Sequence, residues 1–378
     1  MASLRERVRG RTNGYTVTPA RYVWFAWVAL GALTLIVLTG AAVRLTGSGL
    51  GCPDWPRCYG RAYPPLNTHS VIEFSNRLLT GPVSIAALGA WVAALRRRPR
   101  RRDLVWLSGA LPLGVLGQAV LGGFTVRGAL DYGWVMGHFA LSMAILAAGV
   151  ALVWRASREP DSEGGALPSE SVDRALVIGT RVLVFVGGLT IFAGTAATAA
   201  GPHAGGAPGQ RINRLDLEGR GTMDFVIHRH GEIALAFGLL ALGLWWLTRG
   251  TPRKTAAGGA TAGGAASGVA GSDGATSDNA APGGARAGLH RALTALCALL
   301  ALQGAVGLDQ YKTHLPTGLV WVHVALATVS WLAVLWAGCA AGRLPAREAS
   351  RPTDPSERPL SAAAPEAAGT RGEPTLRV

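Results

Sequence analysis

The sequence predicts an all-α polytopic membrane protein: eight transmembrane helices in two repeated four-helix bundles, with both termini cytoplasmic. Three observations carry this. Hydrophobic residues make up 49% of the chain against 15% charged, and apolar runs of about 20 residues, each long enough to span a hydrocarbon core of about 30 Å, recur along it. Basic residues cluster in every second loop. Chemically distinctive residues recur at fixed offsets between the halves, the mark of an internal duplication.

A basic N-terminus (1–21) with Arg5, Arg7, Arg9, Arg11 and Arg21 precedes the first span, 22–46. That span is too long for a signal h-region and lacks a small-residue cleavage site, so it reads as retained. Spans follow at 71–95, 104–126 and 133–154, completing a first bundle over 22–155. After a linker (156–175), spans at 176–200, 222–248, 288–309 and 317–341 build a second bundle over 176–341. A low-complexity insertion, 250–285, interrupts it, and a Pro-, Glu-, Arg- and Ala-rich tail, 342–378, ends the chain. Neither segment has the apolar surface to offset its chain entropy. The arginine run Arg96–Arg102, then Arg155 and Arg158, then Arg249, Arg253 and Lys254, then Arg343, mark one side as cytoplasmic. The net charge of +14 is therefore topological. Nothing aromatic or groove-reading accompanies it, which excludes nucleic acid as a partner. Membrane lipid is the expected surroundings, in the cell membrane.

The repeat singles out polar residues inside the membrane. His138 and His323 lie 185 residues apart, as do Gln118 and Gln303; Gly40 and Gly47 match Gly194 and Gly201 at 154. Asn76-Arg77 reads against His228-Arg229 at 152. On the predicted topology Asn76, His138, His228 and His323 share a depth of about 8–10 Å below the outer face, at 1.5 Å per residue. A lone helix histidine is more often a packing residue. A repeated pair at one depth instead reads as axial ligands of a heme iron. His230 competes with His228, but the two point about 200° apart, and the following arginine favours His228. His69, His203 and His314 fall in outer loops and His290 near an inner helix end.

Glu73 lies one turn before Asn76, and its counterpart at 152 is Phe225. The first half thus offers Glu73, Asn76 and His138: one imidazole, an open iron face and a proton carrier. A salt bridge to Arg77 is the competing reading for Glu73. Arg44, Arg77 and Arg229 either snorkel to headgroups or pair with heme propionates. Cys52 and Cys58, with no heme-attachment histidine and no second pair for zinc, favour a disulfide in an outer loop. Cys297 and Cys339 read as packing residues.

The stretches Leu38-Thr-Gly-Ala-Ala-Val-Arg44-Leu-Thr-Gly-Ser-Gly-Leu-Gly-Cys52-Pro-Asp-Trp-Pro56, Glu73-Phe-Ser-Asn76-Arg77-Leu-Leu-Thr-Gly81 and Gly117-Gln-Ala-Val-Leu-Gly-Gly-Phe-Thr-Val126 resemble the heme A synthase family. The resemblance covers roughly residues 22–341 and is weaker in the second half. It implies oxidation of the C8 methyl of heme O to a formyl group, giving heme A for terminal oxidase assembly. It further implies a resident heme b held by His228 and His323, a functional Glu73 and the outer-loop pair Cys52 and Cys58. Heme O synthase and heme-copper oxidase assembly factors are the implied partners, and a homo-oligomer is left open. One departure stands out: Asn76 occupies the place of the family's usual histidine, leaving His138 as the sole protein ligand to substrate iron. A b-type cytochrome that only relays electrons, and a transporter of parallel repeats, are the competing classes.

Overall fold

The computed structural model describes residues 16–159, 172–217, 221–249 and 282–342, all within one unit, Met1–Leu344. Among these residues eight helices are formed: α1 (Pro19–Leu45), α2 (Thr68–Arg96), α3 (Arg102–Arg127), α4 (Tyr132–Ala156), α5 (Arg174–Ala200), α6 (Thr222–Thr248), α7 (Pro282–Lys312) and α8 (Thr317–Ala340). The shortest has 24 residues and the longest 31, so each exceeds the length needed to cross about 30 Å of hydrocarbon. All eight are apolar enough to do so. The chain is a multi-pass membrane protein. α7 begins at Pro282, so the last residues of the expected low-complexity insertion are helical. The rest of that insertion, the tail beyond Gly342 and most of the N-terminus and the 156–175 linker lie outside the described residues.

Local chemistry starts these helices where they start. Thr18 Oγ1 accepts from Arg21 N–H and Pro19 fills the first helical position. Asn67 Oδ1 accepts from Ser70 N–H at 2.9 Å, and Asp131 Oδ1 from Gly133 N–H at 2.9 Å. Small residues then allow close approach, as membrane helices require where no hydrophobic effect drives them together. Ala87, Ala90 and Ala94 line the buried face of α2. Large apolar side chains such as Trp106, Phe185 and Ile85 point outward, where lipid covers them.

α1 packs against α2 and α4, and α3 closes the ring; α5 to α8 do the same. Two four-helix groups result, touching through α1 and α4 against α8, and α4 against α5. Two indoles tie the groups: Trp331 Nε1 donates to Met143 O at 3.0 Å and Trp321 Nε1 to Leu38 O at 3.1 Å. At the end carrying the cysteines, Gly49 N–H donates to Gly205 O at 3.0 Å. Gly47 there has φ +65° and lies against the Gly206 carbonyl, so a side chain fits neither the backbone nor the space. Corresponding helices begin in register: Thr68 and Thr222 are 154 apart, Tyr132 and Thr317 185 apart.

Candidate functional site

Each group carries a polar pair at corresponding helix positions. His138 and His323 stand six residues into α4 and α8, while Asn76 and His230 stand eight residues into α2 and α6. Their surroundings correspond. A Cβ on Gly122 would meet His138 Cε1 at 3.6 Å, and one on Gly307 would meet His323 Cε1 at 3.1 Å. A Cβ on Gly40 would meet Asn76 Nδ2 at 3.9 Å, and one on Gly194 would meet His230 Cε1 at 3.1 Å. Gln118 Nε2 donates to His138 O at 2.9 Å, and Gln303 Nε2 to His323 O at 3.1 Å.

The residue matching Asn76 is thus His230, not His228. The offset is 154, the one already set by Gly40 with Gly194, rather than 152. His228 is exposed, and its Nδ1–H donates to its own helix at Asp224 O, 2.7 Å away. His230 lies about 200° around the helix and faces the bundle. Its ring centroid is 6.2 Å from that of His323, the planes crossing at 76°. Metal–imidazole bonds are about 2 Å, so two rings at this centroid separation are close enough to share one metal atom. His230 Nδ1–H donates to Thr190 O at 3.0 Å, which fixes the tautomer and leaves Nε2 with a lone pair, as ligating histidines require. Arg229 follows His228 outward: it is 56% exposed and pairs with Glu232 at 2.7 Å, away from these rings. The glycine offset was the signal that would have found His230 in the sequence. The Asn76-Arg77 likeness to His228-Arg229 masked it.

In the first half Glu73 is buried and ion-paired with Arg77. Its Oε2 accepts from Cys52 N–H at 2.7 Å. Arg77 also donates to the carbonyls of Cys52 (3.1 Å), Asp54 (2.8 Å) and Arg57 (3.0 Å), so its guanidinium gathers the whole cysteine loop onto α2. Cys52 and Cys58 are joined by a disulfide. Asp54 accepts from Tyr59 N–H at 2.6 Å and Gly60 N–H at 2.7 Å, and the Gly60 N–H foremost holds its carboxyl below the usual carboxylate range. Glu73 is therefore both an ion-pair partner and a buried carboxylate. Asn76 Oδ1 accepts from Thr39 Oγ1 at 2.7 Å. Arg44 Nε is buried without a hydrogen-bond partner among the described residues, beneath Gly205.

Arg77→Ala is expected to cost about 3–5 kcal/mol, since it leaves a buried carboxylate unpaired and the loop untethered. Arg77→Lys should recover only part of this, because a single ammonium cannot reach carbonyls on three sides. Thermal midpoints of the two variants in detergent check both statements.

Three further histidines have hydrogen-bonded side chains, and His314 is exposed. His69, expected in a loop, sits in the first turn of α2 with Nδ1 3.0 Å from Ser48 Oγ. His203 Nε2 donates to Leu315 O, and His290 bonds Thr248 Oγ1 and stacks on Trp245. Among the described residues no three His, Cys, Asp or Glu gather as a metal site. A metal between His230 and His323 would have to bring its other ligands with it, as a porphyrin iron does.

Residues 23–270 match the family described as cytochrome oxidase assembly protein. The heme A synthase of Shouchella clausii is 32% identical over 234 residues, covering 57% of this chain and 73% of that protein. The heme A synthase of Lysinibacillus sphaericus is 39% identical over 126 residues, covering 32% of this chain and 39% of the relative. The protoheme IX farnesyltransferase of Thermus thermophilus is 31% identical over 189 residues, covering 45% of this chain and 30% of that protein. The chain thus spans two fifths or less of the length of several relatives that it matches.

Proposed function

The chain belongs to the cytochrome oxidase assembly protein family, and from that premise we propose that it is a heme A synthase. In this reading it is an oxidoreductase acting on a CH group, converting the C8 methyl of heme O to a formyl group. One observation carries it: the His230 and His323 rings lie 6.2 Å apart, close enough to ligate one metal atom, and the same positions in the first half hold Asn76 and His138.

His230 and His323 would hold a resident heme b. The flanking Gly194 and Gly307 leave no Cβ against either ring, and His323 Nδ1 is buried without a partner among the described residues. When bound, this group supplies one-electron transfer. In the first half His138 takes the iron of the substrate heme. Asn76, a poor iron ligand already engaged by Thr39, leaves the opposite face open. Arg44, with its unsatisfied buried Nε, is the guanidinium best placed to accept a propionate. Arg77 is committed to the loop and Glu73, and Arg229 points away from the bundle, so neither takes that role. Glu73 holds and moves a proton as the methyl group loses hydrogen: Cys52 N–H and Arg77 fix its carboxylate, and burial keeps bulk water from competing with it. Protoheme farnesyltransferases among the relatives support a prenylated heme as substrate and a heme O synthase as the supplying partner.

A cytochrome that merely relays electrons would need His230 and His323 alone. It leaves Glu73, His138 and Asn76 without purpose. Acid extraction and chromatography of the hemes bound to purified protein separates the two readings. Heme b together with heme O or heme A is expected, and heme b alone would contradict the proposal.

Asn76→Ala should lower heme A yield only mildly, since it removes a hydrogen bond worth about 1 kcal/mol. His138→Ala should abolish the yield while the second-half heme stays. The ranking of the two variants checks the single-ligand assignment: equal damage would give Asn76 a direct role.

A further inference from the structure

The repeated glutamines spend their second N–H differently in the two halves. Gln118 Nε2 and Gln303 Nε2 each use one N–H on the backbone carbonyl of the histidine on the next helix. In the first half the other N–H goes to Ser142 Oγ, 2.7 Å away. In the second half the residue 185 further on is Ala327, which has no acceptor. There the other N–H lies on the imidazole itself, Gln303 Nε2 to His323 Nε2 at 3.2 Å. Ser142 is held in place by its own bond to His138 O at 3.2 Å. Among the described residues the His138 ring has no hydrogen-bond partner, and its Nδ1 is buried.

We propose that Ser142 diverts Gln118 away from His138 and so keeps that imidazole free to capture arriving heme, whereas Ala327 lets Gln303 cap His323. This rests on the reading of both histidines as heme ligands. A nitrogen accepting a hydrogen bond must be released before it can bind iron. That delay is harmless at a site loaded once and kept. It would be paid in every cycle at a site that exchanges substrate for product. One side-chain hydroxyl therefore adds to the replacement of His230 by Asn76 in separating an exchanging site from a resident one.

The test is stopped-flow capture of heme b, iron protoporphyrin IX, at the first-half site of purified protein already carrying its resident heme. Ser142→Ala frees Gln118 to turn onto His138 and is expected to slow capture about fivefold, the worth of one neutral hydrogen bond. Ser142→Thr keeps the acceptor and should match wild type. Adding Gln118→Leu to Ser142→Ala should restore the fast rate, an interaction that general loss of stability would not produce. Ala327→Ser should speed loading of the second site in protein purified from heme-depleted cells. Unchanged capture in Ser142→Ala, or no rescue by Gln118→Leu, overturns this proposal alone. Failure of the wild-type chain to take up a second heme overturns the heme-site reading and this proposal with it.

Discussion

His230→Ala and His323→Ala are each expected to remove the low-spin heme b spectrum from the purified chain, while His228→Ala leaves it intact. The two ring centroids lie 6.2 Å apart, and each ring is flanked by a glycine whose Cβ would come to 3.1 Å from it. Removing a partner of a metal ligand already costs 10–100-fold in affinity, and removing the ligand itself costs more. The loss should be of cofactor and not of fold. Helices in hydrocarbon satisfy their backbone internally, and neither ring supports the indole bonds that join the halves. Heme-to-protein ratio and the visible spectrum of the three variants, with thermal midpoints beside them, check this. Loss of heme in His228→Ala with retention in His230→Ala would reverse the assignment.

Glu73→Gln is expected to keep heme b and lose most heme A formation, by 10²–10⁴-fold, the usual contribution of a positioned proton-transfer group. Glutamine keeps the shape and an acceptor for Cys52 N–H, but it carries no titratable proton and no charge opposite Arg77. Some stability goes with the ion pair, so thermal midpoint and turnover must be read together. Wild-type turnover with a lowered midpoint would leave the ion pair as the whole purpose of Glu73. Lost turnover with heme b and most of the stability retained assigns it the proton.

The helices, and the positions of several polar residues on them, were legible because both follow from strong, local constraints. A bilayer fixes span length, so eight apolar runs could be counted. Glu73 and Asn76 share a helix face by spacing alone. His138 and His323 stood out because Gln118 and Gln303 repeat their offset. What failed was a choice between two faces of one helix. Periodicity says that only one of His228 and His230 can face inward, but it does not say which. The following arginine was the wrong tiebreak, because Arg229 belongs to a surface pair with Glu232. Two small repeats, Gly40 with Gly194 and Gly47 with Gly201, held the answer. Gly40 lies against Asn76 and Gly194 against the His230 ring, so this glycine pair shares its offset with the side chains that pack there. The engagement of Arg77 by three loop carbonyls was not legible, since the path of the cysteine loop depends on where α1 and α2 end in space. The burial of Arg97 and its pairing with Glu159 were hidden because its run of arginines reads only as a marker of the cytoplasmic side.

The most direct measurement of the central claim is the heme composition of cells that carry or lack this gene, with heme O supply unchanged. Heme A is expected with the wild-type gene, and heme O should accumulate without it. Cells expressing Glu73→Gln should resemble the deletion although the protein still carries heme b. An unchanged heme A content on deletion would contradict the account.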